Sequence, residues 1–179
     1  MRNAQQLLVQ YARYHRDRRN IATHFVGVPL IVFAVAVLLS RPQLALAGTI
    51  AGFGLTPAWI AAAFATLWWM TRGEWLPGLL VSAFTLGCVA LGSEIARAST
   101  ASWLAAGLGS FALGWLIQFV GHYWEGRKPA FVDDLIGLLV GPLFVAAELL
   151  FAAGWNPTLY ATIQREAGPL RTGLPTSSA

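Results

Sequence analysis

Charged residues are scarce in this chain of 179 residues. Only 11% of the residues are Asp, Glu, Lys or Arg, against about 25% in a typical soluble domain. Apolar residues make up 56%, and the mean hydropathy is +0.59. The composition therefore excludes an intrinsically disordered chain and an ordinary water-soluble globular protein. A membrane crossing needs about 20 apolar residues, so the length limits the chain to one domain with a handful of crossings.

Cysteine and histidine are also rare. The one cysteine, Cys88, lies inside an apolar run, which excludes a disulfide scaffold and a cysteine-rich zinc or iron–sulfur site. A di-iron oxygenase with histidine boxes needs more than the three histidines present, so its ligand count excludes that class. The G-x-S-x-G motif of many serine hydrolases does not occur in the sequence. Any chemistry must come from three histidines, eight acidic residues and twelve basic residues.

Basic residues give the chain a net charge of +4 and lie mainly at the ends of apolar runs. They cluster in two places: Arg2, Arg13, Arg16, Arg18, Arg19 near the N-terminus, and Arg127, Lys128 after a long apolar run. This placement is typical of the cytoplasmic flanks of membrane helices. No basic surface interleaved with aromatic residues accompanies them, so we expect membrane lipids, and no nucleic acid, as partners.

Apolar runs separated by polar breaks predict an all-α, polytopic membrane helical bundle with about four to six membrane-embedded helices. The runs are 25–40, 43–55, 57–70, 76–92, 103–120 and 135–155. Before them, residues 1–19 are polar and basic with apolar residues on one face, which predicts an N-terminal interfacial amphipathic helix. We expect residues 1–155 to form a single integral-membrane helical domain. A polar C-terminal tail, 156–179, is expected to be partly disordered.

The order of the runs predicts which loops share a side of the membrane. We take the N-terminus as cytoplasmic and the four strong runs 25–40, 57–70, 76–92 and 103–120 as crossings. The loops 71–75 and 122–134 then return to the cytoplasmic side. All three histidines then lie at the cytoplasmic face. A full crossing by the short run 43–55 would change this parity.

His15 and His24 are nine residues apart, which places them on opposite faces of a continuous helix. They converge only if the chain bends between them. Asn20 is the expected N-cap of a new helix that starts at Ile21. The alternative is that His15 is a surface histidine on an interfacial helix.

Gln118, His122 and Glu125 share one face of a predicted helix. A histidine and a carboxylate three residues apart are typical of helices that present metal ligands, although the pair can also simply end a membrane helix at the headgroups. Glu148 lies inside the last apolar run, where an unpaired carboxylate is costly, so it should face the interior with a metal or histidine partner. The break at Gly141-Pro142 leaves open whether this run crosses the membrane or re-enters it.

These residues together resemble the Mpo1-like family over about residues 10–155. The resemblance is carried by Tyr14-His15, Asn20, His24, Gly27 and Pro29, by Gln118 to His122 with Glu125 and Pro129-Ala130, and by Gly141-Pro142 with Glu148. It implies an Fe(2+)-dependent dioxygenase of fatty acid alpha-oxidation, which uses O2 to cleave the C1–C2 bond of a long-chain 2-hydroxy fatty acid. The short, Ala- and Arg-rich chain indicates a bacterial relative in the inner membrane.

The resemblance also implies the roles of individual residues. His15, His24 and His122 would hold the iron, and Glu125 or Glu148 would complete its shell or orient an imidazole. The expected substrate-binding residues are Tyr14, Arg16, Asn20, Gln118, Arg127 and Lys128. The competing interpretation is a non-catalytic metal-, haem- or lipid-binding membrane protein that serves transport or sensing.

Overall fold

The computed structural model of the protein describes residues 2–41 and 55–171. Within these ranges it contains seven α-helices, one 3-10 turn at Ala130–Val132 and no strand beyond an isolated bridge, which confirms the predicted all-α class. The α-helices are α1 (Ala4–Ala12), α2 (Arg18–Ser40), α3 (Pro57–Met70), α4 (Trp75–Ile95), α5 (Thr100–Glu125), α6 (Gly137–Ala152) and α7 (Pro157–Ala167). The predicted run 43–55 lies outside the described residues except for Leu55.

Three helices, α2, α4 and α5, are long and apolar enough to cross a membrane. They have 23, 21 and 26 residues, against the roughly 20 that a crossing requires. The apolar helices α3 and α6 have only 14 and 16 residues. The predicted runs 25–40, 57–70, 76–92, 103–120 and 135–155 therefore each contain a helix, but only three of these helices have the length of a crossing.

Helix α2 is the centre of the bundle and packs against α3, α4, α5 and α6. Its closest neighbour is α5, which runs antiparallel to it. A Cβ atom added to Gly114 of α5 would lie 2.7 Å from Ile31 Cγ1 and 3.0 Å from the Gly27 carbonyl oxygen. Small residues let two helix backbones approach this closely. The close packing brings the start of α2 beside the end of α5, where His24 and His122 lie.

The N-terminus and two of the loops meet at one end of the bundle, which we call the histidine end. The Ala4 amide donates to the Arg72 carbonyl at 2.9 Å, and the Arg127 guanidinium donates to the Arg13 carbonyl at 2.9 Å. At the opposite end, the Trp103 indole donates to the Val37 carbonyl at 2.9 Å. This arrangement agrees with the predicted grouping of the N-terminus with the loops 71–75 and 122–134.

The predicted bend between His15 and His24 is present, but its cap is not the predicted one. Helix α2 begins at Arg18 rather than Ile21, and the Asp17 carboxylate accepts a hydrogen bond from the Arg19 amide at 2.9 Å. Asp17 is therefore the N-cap, and the prediction of Asn20 as the cap was wrong. Asn20 lies inside the first turn, where its side chain binds Glu125 instead.

Helix α6 stays at the histidine end along its whole length. Near its start a Cβ on Gly141 would lie 3.0 Å from the Tyr11 hydroxyl, and near its end Glu148 lies close enough to Arg16 for their charges to interact. Helix α6 therefore packs beside α1 and does not run to the far end. Of the two arrangements that the sequence left open, these contacts favour re-entry.

Helix α7 lies within the polar tail, where the sequence analysis predicted no helix. Asn156 caps it, and Leu159 and Ile163 are buried in the same core as residues of α1 and α6. The tail after Arg171 lies outside the described residues. The part of the tail that is described therefore forms an amphipathic helix docked on α1.

The close contact between α2 and α5 predicts opposite effects for two alanine substitutions in α5. In Gly114→Ala the new methyl group meets the α2 backbone, so we expect a loss of about 1–3 kcal/mol in the free energy of unfolding. In Gly109→Ala nothing lies within 4 Å of the new Cβ, so the better helix propensity of alanine should stabilise by up to about 1 kcal/mol. Denaturant unfolding in detergent measures both, and equal stability of the two variants would contradict the packing.

Candidate metal centre

Three histidine rings converge at the histidine end. His15 lies between α1 and α2, His24 on the second turn of α2 and His122 in the last turn of α5. All three are buried, with exposed fractions of 0%, 2% and 7%. One ligand nitrogen from each lies within 4.8 Å of the others. Among the described residues, no other group of histidine, cysteine or acidic side chains has this metal-binding spacing.

Backbone carbonyls determine the tautomers of two of these rings. His15 Nδ1 lies 2.7 Å from the Tyr11 carbonyl oxygen, and His24 Nδ1 lies 2.8 Å from the Asn20 carbonyl oxygen. A carbonyl oxygen can only accept, so each Nδ1 carries the proton and donates it. In the neutral rings each Nε2 is then left with a free lone pair.

The two Nε2 atoms of His15 and His24 face each other at 3.0 Å. Two acceptors at this distance repel each other unless a proton or a metal cation lies beside them. Burial lowers the pKa of His15 well below its ordinary value, and the neighbouring His24 ring lowers it further, so a proton is disfavoured. A metal cation is therefore the partner that this geometry fits.

The third ring, His122, approaches because α5 touches α2 at the preceding residue. A Cβ atom on Gly121 would lie 2.5 Å from Asn20 Oδ1 and almost on top of the Thr23 hydroxyl. Within the described part of the chain, His122 Nδ1 is buried without a hydrogen-bond partner. Three nitrogen donors with room for further ligands are typical of a catalytic metal site rather than a closed structural one.

Glu125 does not belong to this group of donors. Its buried carboxylate accepts hydrogen bonds from the amides of Arg16 at 3.0 Å and Asp17 at 2.8 Å, and from Asn20 Nδ2 at 3.1 Å. The guanidinium of Arg171 also donates to it. Its oxygens are thus used to hold the loop that carries His15, which makes Glu125 a positioning residue.

Arg16 faces α7, and Glu148 lies close enough to it for their charges to interact. The Arg16 guanidinium donates to the Gly168 carbonyl at 2.7 Å and to Gln164 Oε1 at 3.1 Å. Burial lowers the pKa of Arg16, and the carboxylates of Glu148 and Glu125 counteract this. Glu148 is half-buried and is not among the clustered metal-binding groups.

Two of the other predicted substrate-binding residues contact Asp133 in the surface loop before α6. The Tyr14 hydroxyl donates to Asp133 Oδ2 at 2.8 Å, and Lys128 forms an ion pair with Asp133 at 2.5 Å. Arg127 and Lys128 are exposed. Of the six predicted residues only Gln118 lines the cavity beside the histidines.

That cavity has a volume of about 70 Å³ and is lined by His24, His122, Gln118 and Tyr11 together with apolar residues. Within the described residues, Gln118 Nε2 is buried without a hydrogen-bond partner. The Tyr11 ring stacks on His15 with the ring centroids 4.1 Å apart. Tyr11 was not predicted as a site residue, although its position four residues before His15 places both on one face of a helical turn.

Comparison with known proteins identifies a family and a relative. The chain matches the family described as 2-hydroxy-palmitic acid dioxygenase Mpo1-like over residues 1–153. It is 29% identical over 160 residues to the 2-hydroxy-palmitic acid dioxygenase MPO1 of Saccharomyces cerevisiae, an alignment that covers 87% of this chain and 84% of that protein. No solved structure matches the chain. The range matched by the family contains the three clustered histidines and ends before α7.

The hydrogen bonds of Glu125 predict a large effect of its removal. Glu125→Ala leaves the buried amides of Arg16 and Asp17 without their acceptor, so we expect a loss of about 3 kcal/mol in the free energy of unfolding. The protein that remains folded should bind less metal, because His15 is no longer held in place. Denaturant unfolding and metal analysis of the purified variant measure the two effects.

The matched control is Glu94→Ala, which removes an exposed carboxylate paired with Arg97. We expect its unfolding free energy to stay within about 0.5 kcal/mol of the wild type, with unchanged metal content. If the two variants behaved alike, Glu125 would not hold the loop.

Proposed function

The chain belongs to the Mpo1-like family, and from this membership we propose that it is a membrane-embedded, Fe(II)-dependent dioxygenase acting on 2-hydroxy fatty acids. The enzyme would cleave the C1–C2 bond with O2 and release a fatty acid one carbon shorter, as in fatty acid alpha-oxidation. The observation that carries this proposal is the convergence of three buried imidazoles, with one ligand nitrogen of each within 4.8 Å of the others and the Nε2 atoms of His15 and His24 facing each other. The similarity to a 2-hydroxy-palmitic acid dioxygenase supplies the substrate class.

The proposed metal ligands are His15, His24 and His122. Neutral imidazole is a suitable ligand for Fe(II), and three protein donors leave coordination positions open. When bound, the iron would supply the activation of O2. The Tyr11 and Asn20 carbonyls keep two of the rings in the tautomer that a metal requires.

The head of the substrate is proposed to bind in the small cavity beside the rings. A 2-hydroxy acid presents a hydroxyl and a carboxylate, and Gln118 and Tyr11 are among the residues with polar groups that line this cavity besides the histidines. No arginine or lysine of the described residues lines this cavity. The bound metal cation would therefore neutralise the negative charge of the substrate carboxylate. We propose that Gln118 Nε2, buried and otherwise unpaired among the described residues, donates to the substrate.

The proposed reaction balances without a reductant. One O2 and one 2-hydroxy acid have the atoms of the shortened fatty acid, CO2 and water. Four electrons leave the substrate carbons and reduce the two oxygen atoms. An assay should therefore need no added electron donor.

The proposed location is a bacterial inner membrane, with the histidine end at the cytoplasmic face. Three helices have the length and composition of a crossing. The basic residues near the N-terminus and after α5 lie together at the histidine end, where anionic headgroups would attract them. A fatty acid dissolved in the bilayer can then present its head to the rings while its chain stays among apolar helices.

The geometry argues against the haem-binding alternative. Three ligand nitrogens within 4.8 Å of one another converge on a single ion and leave no plane for a macrocycle between them. The adjoining cavity of about 70 Å³ is also too small for a porphyrin. A non-catalytic metal-binding or lipid-binding protein would be indicated by stoichiometric metal without turnover.

Anaerobic purification, metal analysis and incubation with 2-hydroxypalmitic acid under O2 test the proposal. We expect about one iron per chain and formation of pentadecanoic acid, with both lost in His24→Ala and His122→Ala because a donor is missing. The matched control is Tyr123→Ala, which alters a residue that neighbours His122 but is 82% exposed, and it should retain both. Stoichiometric zinc in place of iron, or product formation unaffected by the histidine substitutions, would overturn the proposal.

A further inference from the structure

Two larger apolar cavities adjoin the small cavity beside the histidines. One, of about 400 Å³, lies between α2, α3 and α5, and we call it the α3–α5 chamber. Its lining includes Ile31, Val32, Val35, Ala36, Leu39, Ala58, Ala62 and Trp115. The other, of about 290 Å³, lies between α2, α4 and α6 and is lined by residues that include Phe25, Leu80 and Ala146. Cavities of 300–1,000 Å³ are typical of sites for small molecules.

The α3–α5 chamber and the histidine cavity share wall residues on three helices. The two share Ile31 and Val32 of α2, Trp115 of α5, and Leu138 and Pro142 at and near the start of α6. The cavity between α4 and α6 shares residues of α2 and α6 with the histidine cavity but none of α5, the helix that carries His122. The larger volume and the shared wall on α5 both favour the α3–α5 chamber as the extension of the site.

The lining residues of α2 show how far the chamber extends from the rings. Ile31, Val35 and Leu39 are spaced four residues apart, so they lie on one face of the helix. Leu39 is fifteen residues after His24, which corresponds to about 22 Å along the helix axis. The chamber thus leads from the histidine end across most of an apolar core about 30 Å thick.

The chemistry of the walls changes along this path. Beside the rings the lining includes the Gln118 amide and the Tyr11 hydroxyl, whereas every lining residue of the chamber except Thr85 is apolar. A ligand with a polar head and a long hydrocarbon tail matches this sequence of surfaces. Helix α3 faces the chamber with alanines, among them Ala58 and Ala62, whose small side chains leave the space open.

We propose that the acyl chain of the substrate leaves the histidines past Trp115 and lies in the α3–α5 chamber, where Val35 and Ala62 limit the chain length that is accepted. This inference rests on the proposed function, because it assumes that the head binds at the histidines. Ala62 packs in one cluster with Ala36, which is twelve residues after His24, so it borders the distal part of the chamber. A large side chain there would exclude the end of a long chain and leave a short one undisturbed.

Substitutions that fill the chamber should change the preference for chain length. We expect Ala62→Phe to lower kcat/KM for 2-hydroxypalmitic acid at least tenfold while 2-hydroxyoctanoic acid keeps its wild-type value. The basis is that each methylene group kept out of an apolar site costs about fourfold in affinity. Under anaerobic conditions, the rise in melting temperature caused by 2-hydroxypalmitic acid should also shrink, which reports binding without turnover.

Two further variants make this test decisive. Val35→Trp fills the same chamber from a position that is 39% exposed, so it keeps the proposal testable if Ala62→Phe does not fold. Ala63→Phe is the matched control, because Ala63 is exposed and is not among the lining residues of the chamber. The control should leave both acids at wild-type rates.

The outcomes separate this inference from the proposed function. If the wild type neither binds nor converts either acid, the proposed function fails. If it converts both acids and the chamber variants keep the wild-type chain-length preference, only the chamber assignment is overturned. A shift in preference seen in Ala146→Phe and not in the chamber variants would place the acyl chain in the cavity between α4 and α6, which also overturns it.

Discussion

The Glu125 carboxylate lies at the end of α5 and accepts hydrogen bonds from two successive backbone amides, those of Arg16 and Asp17, just before α2 begins. Burying a carboxylate is costly unless it is fully hydrogen-bonded, and here Asn20 and Arg171 complete its partners. Its position at the N-terminus of α2 is also favoured by the helix dipole. This one group joins α5, the turn after α1 and the C-terminal segment.

The geometry of the histidines follows from these hydrogen bonds of Glu125 together with the packing of α2 on α5. The turn held by Glu125 places His15 just before α2, and the contact at Gly121 brings His122 beside His24. Carbonyl groups then fix two rings so that their free nitrogens face inward, where burial disfavours a proton. The fold thus prepares a site for a cation, and the apolar chamber beside it fits the tail of a lipid.

Much of this arrangement was predictable from local sequence. The spacing of His15 and His24 required a bend, and the apolar runs gave the helices of the bundle. The choice of Asp17 over Asn20 as the cap was not predictable, because both are good capping residues and the choice depends on Glu125, 105 residues away from Asn20. Helix α7 was missed for a similar reason, since its buried face exists only through docking on α1.

The central claim is that His15, His24 and His122 together hold one iron ion, and X-ray absorption at the iron edge of the anaerobically loaded protein tests it most directly. We predict that the iron is bound by nitrogen and oxygen atoms and that the scattering from more distant atoms corresponds to three imidazole rings. In any iron that the His122→Ala variant retains, the imidazole contribution should be weaker. A shell that contains sulfur, or an imidazole contribution that His122→Ala leaves unchanged, would contradict the account.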